Sequence, residues 1–165
     1  MRKGIRTRDE LAAAVRAALQ DFERCLAVAS EGEPPDLAYE VDIRWPPHTP
    51  PAALKGRGAV YSFFWPERGE FLKVGKAGSR TEARYRYQHY GDQARSTLFK
   101  DLKENCEVLG VPCDDGALKE WMYANLAQAD ILLAPGYAPF VLSLLEAFLH
   151  LRWSPRYEGT RSSNT

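Results

Sequence analysis

Three groups of residues carry most of the chemistry this chain can offer. Residues 70–77 read EFLKVGKA, which places Lys73 and Lys76 either side of Gly75 in an otherwise β-prone run. Residues 142–151 read LSLLEAFLHL, with Glu146 in the middle of an apolar segment. A carboxylate withdrawn from water without a partner is costly, so Glu146 either faces solvent or is kept for a function. Between these lies a cationic window. Residues 68–100 hold eight Lys or Arg (Arg68, Lys73, Lys76, Arg80, Arg84, Arg86, Arg95, Lys100) against three acids. On a chain of zero formal net charge, such a local field is what a phosphate-binding face needs. Carboxylate oxygens suit a hard divalent cation. A guanidinium fork suits phosphate oxygens.

These groups need elements to hold them. AVYSFFW (59–65) and EFLKVGKA (70–77) are two β-prone runs separated by Pro66-Glu67-Arg68-Gly69, the pattern of a hairpin. Strand side chains alternate faces, so Tyr61 and Lys73 share a face only if 61 pairs with 75 and 63 with 73, leaving 66–70 as the loop. In that register a hydroxyl and an ammonium can together orient a water and a phosphate oxygen. Gly75, without a side chain, lets a phosphate come close. A helical segment over 79–91 follows, then helices near 94–109 and 117–126, a strand near 129–135, and a last helix over 138–153. On that last helix Ser143, Glu146 and His150 fall on one side.

Upstream, Thr7-Arg8-Asp9-Glu10 is a capping box opening an amphipathic helix to about Ala29, with Leu11, Val15, Leu19, Phe22 and Leu26 at helical spacing. Residues 31–58 are rich in proline and glycine, with a short strand near 39–45. The expected organisation is an N-terminal helix (1–30), a connector (31–57), a main domain (58–160) and a tail (161–165).

The ordered set VY(61), KVGKA(73–77), an arginine nine residues after the glycine, LLEAFL, and P-x-Y at 155–157 resembles the GIY-YIG nuclease superfamily, in the branch with K-V-G in place of Y-I-G. The resemblance covers roughly 58–159. It implies an α+β fold: a small three-stranded antiparallel sheet flanked by helices, with an N-terminal helical appendage. It also implies a DNA endonuclease that uses Mg²⁺ or Mn²⁺ and leaves a 5′-phosphate and a 3′-hydroxyl. Carried over, Tyr61 and Lys73 would activate water, Arg84 would clamp the scissile phosphate, and Glu146 would bind the metal. Gly75, Lys76, Arg86 and His89 would line the DNA. The family's late asparagine aligns with Glu158, and Gln88 stands where His or Tyr is common. The second reading is a non-catalytic nucleic-acid-binding module that retains the fold, favoured by Lys73 and Glu158 at those positions.

Other features set bounds. At 165 residues the chain allows one domain with a real core. Cys25, Cys106 and Cys113 show no metal-ligand spacing and read as reduced thiols of a cytoplasmic protein. MRKGIRTRDE lacks the apolar core of a signal peptide, and no apolar run is long enough to span a bilayer, so no membrane partner is expected. A homodimer through the N-terminal helix remains open.

Overall fold

Two of the strand-forming runs are apolar on both faces and therefore need cover on each side. The computed structural model describes residues 4–78, 85–86, 90 and 97–157. In chain order the elements are α1 (Arg8–Ala29), β1 (Tyr39–Arg44), β2 (Gly58–Trp65), β3 (Glu70–Ala77), α2 (Thr97–Glu104), α3 (Cys106–Leu109), α4 (Asp115–Asn125), β4 (Ala127–Leu133) and α5 (Pro139–Trp153). The sheet is antiparallel in the order β1-β4-β2-β3. Its central strands, β4 and β2, are buried along their whole length. Helices α1 and α5 pack on one face, and α2, α3 and α4 on the other.

The expected three strands become four. β1 pairs with the edge of β4 that β2 leaves free, from Tyr39 opposite Leu133 to Arg44 opposite Gln128. The short strand expected near 39–45 is therefore a member of the main sheet rather than part of a connector. Helix α1 is likewise not an appendage. Thr7 and Glu10 form the reciprocal capping box at its start, a cap worth about 1 kcal/mol. Its apolar side, Leu11, Val15, Ala18, Leu19, Phe22 and Leu26, lies in the same core as Val60, Ile131 and Leu145. That apolar side is committed within the chain.

The hairpin has the register that unites Tyr61 and Lys73. Tyr61 lies opposite Gly75 and Phe63 opposite Lys73, and a bulge at Leu72 then brings Phe64 opposite Phe71 and Trp65 opposite Glu70. The loop is 66–69, one residue shorter than expected. Gly69 takes a left-handed φ of 64°, and its N–H returns to the Trp65 carbonyl at 2.8 Å, a backbone conformation glycine adopts without steric cost. After α5 the chain runs back along β3, where Arg156 and Tyr157 donate their N–H groups to the carbonyls of Phe71 and Leu72 at 2.9 and 2.8 Å. This covers part of an edge that would otherwise be open to pairing.

The cysteines need correction. Cys106 and Cys113 form a disulfide, and Cys25 alone is free and exposed. Gly110, at a φ of 71°, turns the chain after α3 and the two Cα atoms come to 5.4 Å, within bridging distance. Linear spacing carries no trace of that turn. No helix among the described residues is long and apolar enough to cross a membrane.

Candidate active site

The sheet sorts the expected residues onto two faces. Tyr61, Lys73 and Gly75 lie toward α2–α4, whereas Lys76, opposite Val60, points toward α1 and α5. Glu146 stands on α5 and so meets Lys76. The Lys76 ammonium lies 3.0 Å from a Glu146 carboxylate oxygen and donates to the Ser143 hydroxyl, also at 3.0 Å. Glu146 is 25% exposed and Lys76 40%. Tyr61 and Glu146, which the resemblance assigns to one active site, are therefore not brought together: the sheet stands between them. Parity along the hairpin decides this, because Lys76 is an odd number of residues from Lys73.

Tyr61 and Lys73 are buried, at 3% and 9% exposure. Gly75 does not hold a space open for phosphate. A Cβ there would come within 2.5 Å of the Tyr61 hydroxyl and 2.6 Å of its ring, so the missing side chain makes room for the tyrosine. Gly75→Ala should lower stability by about 1–3 kcal/mol, the usual cost of overpacking a core, measured by urea denaturation. Arg86 donates from Nε to the Pro51 carbonyl at 3.2 Å, which ties it to the chain ahead of β2. Arg84, His89 and Glu158 lie outside the described residues.

On the Tyr61 face the structure holds a polar network that the sequence reading missed. Asp130, opposite Tyr61 on β4, is fully buried. It forms an ion pair with Arg44 of β1 and accepts from the Tyr85 hydroxyl at 2.6 Å and from Gln128 Nε2 at 3.1 Å. Tyr90 donates to Gln128 Oε1 at 3.0 Å. With the Tyr90 proton spent there, His48 Nε2, 2.7 Å from the same hydroxyl, must be the donor of that pair. Every hydrogen bond in the chain therefore points toward Asp130, an arrangement in which each bond polarises the next. Burial pushes the Asp130 carboxyl upward against the pull of Arg44 and Tyr85. The signal in the sequence was the period-two pair Gln128 and Asp130, two polar side chains on one face of an apolar strand.

Burial, with the Arg44 charge, lowers His48 to about 4. Between roughly pH 6.5 and 4 the unfolded chain takes up a proton that the folded one refuses, so His48 makes stability fall as pH falls through that window. The loss approaches about 3 kcal/mol by pH 4. Urea midpoints of the wild type and of His48→Gln, compared across this range, should diverge at neutral pH and converge in acid.

Among the described residues no three His, Cys, Asp or Glu side chains cluster. A metal at Glu146 would have that carboxylate with the Ser143 hydroxyl near the same lysine, and water and phosphate would supply its other oxygens. That donor set suits Mg²⁺ or Mn²⁺, hard ions that keep several waters. The Lys76–Glu146 pair is partly solvated, and pairs of this kind are worth at most about 1 kcal/mol. It can be exchanged at little cost, carboxylate to a cation and ammonium to a phosphate. Comparison of the chain with family models, curated proteins and solved structures returns no match.

Proposed function

We propose that this protein is a divalent-metal-dependent endonuclease hydrolysing DNA phosphodiester bonds at the β3–α5 edge. One observation carries the reading: two residues singled out by their motifs and seventy positions apart, Lys76 and Glu146, meet at 3.0 Å in a partly open, exchangeable ion pair. Bound Mg²⁺ or Mn²⁺ would neutralise the charge developing on the leaving 3′ oxygen. Glu146 would hold that ion, Lys76 would swing onto a phosphate oxygen, and Arg84, as the resemblance implies, would clamp the scissile phosphate with its planar fork. The water-activating role expected of Tyr61 with Lys73 has no support from their burial. In this reading Tyr61 braces Gly75 and the hairpin.

That same burial favours a second reading, a nucleic-acid-binding module without catalysis. The two separate cleanly in one assay. Full-length protein incubated with supercoiled plasmid and Mg²⁺ or Mn²⁺ should produce nicked circles, and chelation should prevent them. Salt-sensitive binding with no nicking under either metal selects the binding module.

A further inference from the structure

We propose that α5 docks on α5 of a second copy of this chain, antiparallel about a two-fold axis, along the stripe Phe140, Leu144, Ala147 and Leu151. Among the described residues five large apolar side chains stand exposed, and three of them lie on this one helix: Phe140 at 59%, Leu144 at 47% and Leu151 at 81%. With the exposed Ala147 they recur at spacings of four, three and four, the seam of a two-helix coiled coil. At 3.6 residues per turn the stripe points away from the side that Leu142, Leu145 and Leu149 bury in the core. No Lys, Arg, Asp or Glu stands in it. Glu146 lies about a third of a turn to one side, so the pairing leaves the Lys76–Glu146 edge outside the apolar contact.

Helix α1 widens the patch. Asp21 and Arg152 tie the two helices together at 2.8 Å, and Phe22 packs on Phe148 with ring centroids 5.4 Å apart. Cys25 lines the groove between them with Phe148 and Leu151. Val28, 88% exposed, falls on the same side of α1 as Asp21 and Cys25. Together these side chains expose roughly 500 Å² per copy, toward the top of the range for the largest patch on a monomer and commonly functional. At the ~65% apolar share of homodimer interfaces this corresponds to about 800 Å² per partner, the size of a standard stable interface. The stripe is also self-complementary. The two-fold sets Phe140 of each copy against Leu151 of the other, and Leu144 against Ala147, so at the middle a large side chain fills the space beside a small one. A parallel pair would set alanine against alanine and leave a gap. Antiparallel helices also bring opposite ends of their dipoles together.

The test is the oligomeric state of the full chain carrying Cys25→Ser, which removes cross-linking through the free thiol. Sedimentation velocity should show a dimer with a Kd at or below ~10 µM. Leu144→Glu and Leu151→Glu, added singly, should each raise that Kd at least ~100-fold. Val108→Glu, at an 85% exposed site on α3, should leave it within ~3-fold. Circular dichroism should be unchanged throughout, because every side chain replaced on these helices already meets water. Phe140→Lys alone should be monomeric, yet mixed with Leu151→Glu it should dimerise again, because residue 140 of one copy faces residue 151 of the other. A parent protein that stays monomeric at ~200 µM overturns the proposal. So does a dimer that survives both glutamates, or a mixture that fails to pair. A monomer that instead binds phosphatidylglycerol vesicles, and loses them in Leu144→Glu, overturns it by assigning the face to lipid.

Discussion

Asp130→Ala is expected to destabilise the protein by about 3–5 kcal/mol, the range for stripping one partner from a buried ion pair. The substitution leaves the Arg44 guanidinium inside the sheet layer with Asp42 alone, 2.6 Å away. It also removes the acceptor for Tyr85 and for Gln128, so two more buried donors lose their partner. Urea denaturation checks the value, with an unchanged slope showing that the unfolding remains two-state. The paired change Arg44→Met with Asp130→Leu should recover most of the loss, because it removes both charges and fills the space. A loss under about 1 kcal/mol for the alanine variant would mean that the network is not buried as described.

Glu146→Gln has the opposite profile. Its partner Lys76 is 40% exposed and can be solvated when the pair is lost, so stability should change by less than about 1 kcal/mol. Nicking should fall at least ~100-fold, because amide oxygen is a far poorer ligand for a hard cation than carboxylate. Single-turnover rates on supercoiled plasmid in Mn²⁺, with Glu40→Gln as an exposed control acid elsewhere on the sheet, provide the comparison. Separation of the two profiles matters: Asp130 should report on folding and Glu146 on chemistry.

The parts legible in the sequence were those set by local rules. The capping box at Thr7 and the helical spacing after it mark α1. Alternation around Tyr61 and Lys73 sets the hairpin register, since any one-residue slip would turn Phe63 or Val74 to the wrong layer. The same parity turns Lys76 to the α5 side, away from Gly75, its expected companion in lining the DNA. Less legible were features assembled from distant segments. β1 is the short strand expected near 39–45, but its membership of the main sheet rests on pairing with the distant β4. The Asp130 network draws on β1, β4, His48, Tyr85 and Tyr90, with no linear motif joining them. The Cys106–Cys113 bridge depends on a turn at Gly110, which two cysteines seven apart do not announce. Gly75 shows the same limit at one position: the residue matters as expected, but its bare backbone accommodates Tyr61.

An NMR titration of the full chain with Mn²⁺ addresses the metal role directly, because the ion broadens amides close to it even when binding is weak. Metal held by Glu146 should broaden the residues around Lys76 on β3 and around Ser143–His150 on α5 first, and Glu146→Gln should abolish that pattern. Broadening centred on the exposed acids Asp114 and Asp115, with α5 unaffected and Glu146→Gln indistinguishable from wild type, would contradict it.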